Sequence, residues 1–354
     1  MHILHVIGAR PNFMKVAPVF RTLRARGISQ TLVHTGQHYD FNMSDVFFQQ
    51  LAIPAPDVNL QVGSGSHAQQ TADIMSRFEP VVLERKPDFV LVYGDVNSTV
   101  AAALVCSKLL IRVAHVEAGL RSGDRTMPEE INRLLTDQIS DLLFTPSKDG
   151  DDNLLREGVS GSKIRLVGNV MIDTLISMLP QAKASVSPDT PDRFVLVTLH
   201  RPANVDDLPW LSGVLKALTD ISSQIPVIFP IHPRTRQRLR DAGIDTSKHA
   251  ALMLSEPKPY LEFLGLQTRA TAVVTDSGGI QEETTFLGTP CLTMRENTER
   301  PITVDVGTNI MVGRSAELMA QELQRILDGK RKKGSIPPLW DGHASERIAD
   351  VLLK

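Results

Sequence analysis

Short apolar runs rich in β-branched residues alternate along this chain with longer stretches whose apolar positions return every three or four residues. The short runs predict strands at 3–7, 31–34, 89–93, 112–116 and 142–145. Between the first two, Phe13, Val16, Ala17, Phe20 and Leu23 share one helical face that Gly27 terminates. A further helix is expected over about 98–110, after a Gly94-Asp95 turn. Strand, helix and strand at this spacing predict βαβ units and a parallel sheet. The pattern restarts after a polar stretch, 183–193, that contains Pro188 and Pro191. Strands are then expected at 194–199, 227–231, 251–254, 270–275, 291–294 and 308–312, and a last helix at about 343–353.

Length agrees with this doubling. At about 150 residues per domain, 354 residues make two domains. The expected fold class is α/β: two Rossmann-like, doubly wound parallel-sheet domains with a cleft between them. The expected division is 1–170 and 171–339, with a C-terminal helix, about 340–354, packing back on the first domain. An apolar fraction of 42% excludes a disordered or fibrous chain. Lys plus Arg number 38 against 40 Asp plus Glu, a net charge of -2, which argues against a nucleic-acid partner. Two cysteines, Cys106 and Cys291, make neither a disulfide framework nor a metal cluster. No run of about 18 apolar residues occurs, so no membrane insertion is expected, and residues 1–7 are too short for an export signal. These features suit a cytoplasmic protein.

In parallel sheets ligands collect beyond the carboxyl ends of the strands. The residues there are unusually polar: Arg10, His38, Asp95, Glu117, His200 with Arg201, His232, Asp276 with Ser277, and Arg295. Ser277, Gly278 and Gly279 follow a strand and open a helix, where free amides attract phosphate. Glu283 lies one to two turns further in, within reach of two ribose hydroxyls; an ordinary Ser N-cap with a Gly turn is the plainer alternative. Arg10, fixed beside Pro11, and Lys15 one turn later can offer two cations to a diphosphate, or simply be solvated. Asp95, Glu117 and Glu129 are carboxylates at strand ends or a helix start, where partial desolvation makes a usable general acid or base. Their structural alternatives are helix capping for Asp95, an ion pair with Arg121 for Glu117, and a first-turn acid for Glu129. His200 and His232 each end a strand of the second half, where a His can donate to or protonate a leaving oxygen. His34, Gln37 and His38 lack an HExxH or CxxC companion, so no metal is expected. Neither a GxGxxG nor a Walker A pattern occurs, so NAD and ATP are not supported.

The stretches GARPNFMKVAPV (8–19), TGQHYD (35–40), VYGDVNSTVAAAL (92–104), VAHVEAGLRSGDRTMPEEINR (113–133), VGNVMIDTL (167–175), TLHRPANVD (198–206), TDSGGIQEE (275–283) and MRENTERP (294–301) run in one order over nearly the whole chain. Together they resemble the non-hydrolysing UDP-N-acetylglucosamine 2-epimerases, a family similar to two-domain glycosyltransferases of the GT-B type. The resemblance implies reversible inversion at C2 of UDP-GlcNAc to give UDP-ManNAc, by elimination of UDP to 2-acetamidoglucal and re-addition. It implies Asp95, Glu117 and Glu129 as the acid/base set, with His200 near the diphosphate. Arg10, His200, Ser277, Gly278 and Gly279 would hold the phosphates and Glu283 the ribose. Lys15 and Arg133 would supply charged surroundings, and His232 and Arg295 fall in matching motifs. No cofactor is needed, and a homodimer is suggested.

Alternatives are a 2-epimerase of a related sugar such as a UDP-diacetamido-uronic acid, a hydrolysing epimerase, a GT-B glycosyltransferase, and a non-catalytic UDP-sugar-binding protein. Two departures from the family bear on regulation. Gln37-His38-Tyr39-Asp40-Phe41 replaces the QHREM-type run that belongs to an allosteric UDP-GlcNAc site in many members, and Gly123-Asp124-Arg125-Thr126-Met127 replaces a longer Trp-containing loop. Activation by UDP-GlcNAc is therefore expected to be weak or absent. The initial-rate curve for UDP-ManNAc should be hyperbolic, and a strongly sigmoidal curve relieved by traces of UDP-GlcNAc would contradict this.

Overall fold

The computed structural model describes residues 1–37, 51, 53–241 and 251–354, without the side chains of Arg10, Pro233 and Arg234. The segment 38–41 singled out above lies outside these residues. The chain divides into two compact units: unit 1 comprises 1–174 and 338–354, and unit 2 comprises 175–337.

Unit 1 is built on a seven-stranded sheet. Its strands are β1 (His2–Ile7), β2 (Ser29–His34), β3 (Val58–Asn59), β4 (Phe89–Tyr93), β5 (Val113–Val116), β6 (Leu142–Thr145) and β7 (Ile164–Leu166). Their order is β3-β2-β1-β4-β5-β6-β7, and every pairing is parallel. β4 is buried along its whole length, as a central strand covered on both faces must be. The helices are α1 (Arg10–Ala25), α2 (His67–Arg85), α3 (Asn97–Lys108), α4 (Pro128–Ile139), α5 (Lys148–Arg156) and the start of α6 (Val170–Ala184). On one face Leu4, Val6, Val90, Val92 and Val113 pack against Ile74, Phe78 and Val82 of α2 and the small residues Ala101, Ala102 and Cys106 of α3. The small residues explain why α3 sits nearly enveloped between sheet and neighbours, with both α2 and α4 packed on it. β3 and β7 are absent from the strands expected above. One is two residues long, and the other is a three-residue edge strand that is only half-buried, so neither leaves an apolar run to read.

The C-terminal segment is part of unit 1. Trp340 is buried and its indole N–H donates to the carbonyl of Pro146 at 2.9 Å. The next helix of this unit spans Ala344–Leu352 and packs on α1. Asp173 accepts the backbone amides of Ala344 and Ser345, at 3.1 and 2.7 Å, and so serves that helix's first turn from another element.

Unit 2 repeats the plan. β8 (Val195–Thr198), β9 (Val227–Pro230), β10 (Leu252–Ser255), β11 (Ala272–Thr275), β12 (Cys291–Thr293) and β13 (Asn309–Met311) form a parallel sheet in the order β10-β9-β8-β11-β12-β13. Its helices are the end of α6, α7 (Pro202–Val205), α8 (Leu208–Ser222), α9 (Pro233–Asp241), α10 (Tyr260–Arg269), α11 (Gly278–Leu287), α12 (Pro301–Asp305) and α13 (Ala316–Leu327); the C-terminal helix Ala344–Leu352 of unit 1 is then α14. Side chains alternate with the pleat. Val195 and Val197 face the core with Leu211, Leu215 and Leu218 of α8, while Phe194, Leu196, Ile228 and Val273 face a second core with Leu266 of α10. The order of each sheet reverses between two adjacent strands, β1 and β4 in unit 1 and β8 and β11 in unit 2. In doubly wound folds that reversal opens a crevice at the strands' carboxyl ends.

Truncating Trp340 to Ala removes a large buried ring and orphans the Pro146 carbonyl. It should cost about 3–5 kcal/mol of stability, read from urea denaturation followed by circular dichroism. A loss below about 1 kcal/mol would show that Trp340 does not anchor the segment.

Candidate active site

At the reversal in unit 1, β1 runs into Gly8, Ala9 and the start of α1. Asn12, one turn into that helix, ties the two strand ends together. Its side-chain oxygen accepts the amides of Gly8 and Ala9, and its amide donates to the Tyr93 carbonyl at 2.8 Å. Lys15, one turn further and buried, reaches across to the carboxylate of Glu117. Gly94 makes that contact possible. Its φ is +64°, and a Cβ there would stand 2.6 Å from the Lys15 ammonium and 3.2 Å from the Glu117 carboxylate. Glu117 itself holds a φ of +74°, which an L side chain adopts at a cost.

Asp95 follows Gly94. Its side chain does not cap α3, whose N-cap, Val96, makes no side-chain capping bond. Its carboxylate instead meets the Arg133 guanidinium at 2.5 Å and is partly exposed. Arg133, on α4, is also held by Glu130, at 2.6 and 3.1 Å. Glu130 further accepts from Ser122, through amide and hydroxyl, and from the Gly123 amide. Burial works to raise the Glu130 pKa, but those donors hold it below its ordinary value. Glu129, its neighbour, is half-buried and makes no hydrogen bond or ion pair among the described residues. The sequence alternative of a Glu117–Arg121 pair is not what forms. Arg121 pairs with Glu157, at 2.7 and 2.8 Å, and with Asp137 at 2.7 Å.

The strand-end acids and cations of unit 1 therefore touch: Lys15 with Glu117, and Arg133 with Asp95. The charged surroundings expected of Lys15 and Arg133 are thus direct contacts with two of the three acids. The Arg10 side chain falls outside what is described. Behind these contacts lies a buried polar frame that sequence reading passed over. His115 bridges the Gly94 carbonyl, at 2.8 Å, and Asp137, at 2.7 Å. Asn132 donates to the Asp95 carbonyl and to Asn97, and Asn97 donates to Gln70. The available signal was His115, a polar residue in the middle of the otherwise apolar strand Val-Ala-His-Val.

At the reversal in unit 2, β8 leads to His200 and β11 to Asp276, Ser277 and α11. Ser277 occupies the N-cap of α11, yet its hydroxyl makes no capping bond, so the hydroxyl and the first helical amides stay available. A Cβ on Gly278 would stand 2.5 Å from the Arg300 guanidinium, so the missing side chain lets a cation lie against this helix start. Gly279 faces open space. Arg300 is a cation that sequence reading missed, although it lies in the segment 294–301. Arg295, which was singled out there, is buried and forms a two-point pair with Glu299 at 2.6 and 2.9 Å. Burial works against ionised Glu299, but Arg295 and Arg300 hold its pKa far below the usual range. His232 follows β9, one strand from the reversal, and is exposed. Glu283 is buried, accepting from Tyr260 at 2.8 Å and Gln267 at 2.6 Å. Burial, reinforced by the neighbouring Glu282 charge, pushes it up to about 7 against those two donors. Among the described residues no three His, Cys, Asp or Glu side chains group as a metal site.

Unit 1 thus sets carboxylates beside cations at its strand ends, and unit 2 sets Arg300 and His200 near a helix start whose N-cap hydroxyl makes no capping bond. A search against protein-family models matches residues 21–353 to the UDP-N-acetylglucosamine 2-epimerase family. The UDP-N-acetylglucosamine 2-epimerase of Methanococcus maripaludis is 43% identical over 98% of this chain and 97% of its own length. The UDP-2,3-diacetamido-2,3-dideoxy-D-glucuronate 2-epimerase of Pseudomonas aeruginosa is also 43% identical, over 100% of both. The crystal structure of Methanocaldococcus jannaschii UDP-GlcNAc 2-epimerase in complex with UDP-GlcNAc and UDP superposes with a TM-score of 0.89 at 42% identity, covering 100% of this chain and 99% of that one.

Glu283 yields a pH prediction. Its folded pKa of about 7 lies above its ordinary 4.5, so between those values the folded state binds more protons than the unfolded one. Stability from this group is complete below about pH 4.5 and is lost as pH rises through about 7. The Glu283→Gln variant lacks that loss. Its urea midpoint should gain on the parent's between pH 5 and 8 by the equivalent of on the order of 1–3 kcal/mol, and parallel curves would refute the assignment.

Proposed function

The chain belongs to the UDP-N-acetylglucosamine 2-epimerase family, and from that membership we propose that it inverts C2 of UDP-GlcNAc reversibly to give UDP-ManNAc. It is an isomerase. The observation that carries the reading at residue level is the pair of carboxylate–cation contacts, Glu117 with Lys15 and Asp95 with Arg133, on adjacent strand ends of unit 1.

The C2–H of the sugar is not acidic, so a direct proton exchange is not available. If UDP departs from C1 while a base takes the C2 proton, the C1–C2 double bond of 2-acetamidoglucal forms. Returning a proton to the other face of C2 and re-adding UDP at C1 completes the inversion. Nothing is oxidised or reduced overall, so the reaction calls for no redox cofactor. We assign the proton transfers to Asp95, Glu117 and Glu129. Lys15 and Arg133 orient the first two. Retaining UDP between the half-reactions falls to Arg10, His200, Ser277, Gly278 and Gly279, with Arg300 joining them through its place beside Gly278. Glu283 takes the ribose hydroxyls. Arg295 braces Glu299 and, through it, Arg300. His232, exposed after β9 of unit 2, is assigned to substrate binding by its motif.

A homodimer, a cytoplasmic location and supply of UDP-ManNAc to polysaccharide synthesis complete the proposal. They are supported by the family resemblance and by the absence of a helix long and apolar enough to cross a membrane among the described residues. A second reading, action on a UDP-2,3-diacetamido-uronic acid, is favoured by the equal identity to the Pseudomonas aeruginosa enzyme.

Incubation with UDP-GlcNAc in deuterated water, followed by NMR, should give UDP-ManNAc with solvent deuterium at C2 in both sugars. Absence of exchange with UDP-GlcNAc, but exchange with the diacetamido-uronate, would transfer the reading to that substrate. Asp95→Asn, Glu117→Gln and Glu129→Gln should each lower turnover about 10²–10⁴-fold with the fold retained. Near-normal turnover would remove that residue from the set.

A further inference from the structure

His200 is more than half exposed, yet one side of its ring is fixed. Its Nδ1 stands 3.0 Å from a carboxylate oxygen of Asp276, which is fully buried. Asp276 also accepts the amides of His200, at 3.1 and 3.2 Å, and of Arg201, at 3.0 Å, and the side-chain amide of Asn204 at 3.0 Å. Its own carbonyl accepts from the Arg201 guanidinium at 3.0 Å. A buried carboxylate that needed only to clip a loop would be satisfied by the backbone amides and Asn204. The additional contact with the ring nitrogen is what a clip does not require.

We propose that Asp276 is a positioning residue for His200. Resting on the epimerase reading, it holds the imidazole with Nδ1 protonated and Nε2 facing outward, as the group that donates a proton or hydrogen bond to the departing diphosphate oxygen. A carboxylate only accepts, so a ring nitrogen held 3.0 Å from it is favoured with its hydrogen on Nδ1, since a lone pair there would face the negative charge. Nε2, on the opposite side of the ring, then accepts in the neutral form and donates in the protonated form. The charge that appears on the ring is matched by Asp276. Burial works to raise the Asp276 pKa, but His200, Asn204 and the Arg201 amide hold it below its ordinary value, so the carboxylate is ionised at neutral pH. The other charged group packed here, Arg201, is turned toward the Asp276 carbonyl and lies 3.9 Å from Glu299. Asp276 directly precedes Ser277, so one residue orients the histidine and opens the anion-binding helix start. The two parts of a diphosphate grip are thereby held in a fixed relation.

The test is Asp276→Asn, a near-isosteric change that keeps an acceptor for the amides and removes the charge. Long-range ¹⁵N–¹H NMR of the parent protein should find His200 protonated at Nδ1 in its neutral form. The variant should lose that preference. Its kcat should fall about 10–100-fold with KM changed less than about 3-fold, and the basic limb of the kcat profile should move to lower pH. An Nε2–H tautomer in the parent would overturn the proposal without any variant, so a variant that fails to fold leaves it testable. An unchanged His200 tautomer in folded Asp276→Asn, or loss of stability with an unshifted kcat profile, would also overturn it. The NMR readout needs no substrate. Failure of the epimerase reading would appear as no turnover by the parent, separately from the state of His200.

Discussion

A carboxylate removed from water must meet hydrogen-bond donors or cations, and that requirement fixes the strand-end loops of both units. In unit 1, Glu130 gathers Ser122, Gly123 and Arg133, and Asp137 gathers His115, Gly119 and Arg121. In unit 2, Asp276 gathers His200, Arg201 and Asn204, while Glu299 gathers Arg295 and Arg300. Asp137 and Asp276 draw their partners from another strand end, while Glu299 is held by Arg295 and Arg300 of its own loop. Removing one acid would leave several donors unsatisfied at once, so the loops are over-determined rather than merely placed. For Asp137, burial alone would raise the pKa, and the contacts with His115 and Arg121 reverse the sign.

This scaffold of structural acids separates two kinds of carboxylate along the same short helix start. Glu129 and Glu130 are adjacent in sequence and have opposite circumstances. Glu130 is saturated with donors and anchors Arg133, while Glu129 is half-buried with none among the described residues. Proton transfer needs a carboxylate with some lone pairs open, which one cation contact leaves and a full set of donors does not. The neighbouring acid does the holding, which accords with the proton-transfer role proposed for Glu129. The strained φ of Glu117 fits the same division, since its backbone is set by the turn after β5 and its side chain by Lys15.

Glycines complete the arrangement where side chains must approach closely. Gly94 clears room for Lys15 and Glu117, and Gly278 clears room for Arg300. Both lie next to a residue proposed to contact substrate, Asp95 and Ser277 respectively. The backbone there is shaped around cations that lie 79 residues away along the chain for Gly94 and Lys15, and 22 for Gly278 and Arg300, which no local pattern announces.

The alternation of apolar strands and amphipathic helices was enough to reveal two parallel-sheet halves and to point to strand ends as the place for chemistry. Those features arise from local periodicity, which a linear reading captures. The order of the strand-end motifs also carried the family. Tertiary structure decided which strand-end groups are partners. Arg121 turned to Glu157 and Asp137 rather than Glu117, and Arg300 to the helix start, because sheet order brings distant turns together in ways that spacing along the chain does not encode. The short strands β3 and β7 likewise exist only through their neighbours, since two or three residues cannot bury enough surface to leave a readable pattern. His115, Asp137 and Asp276 became visible as organising residues only once their hydrogen bonds were in place. A buried polar side chain is defined by what it meets, and that is a property of the folded chain.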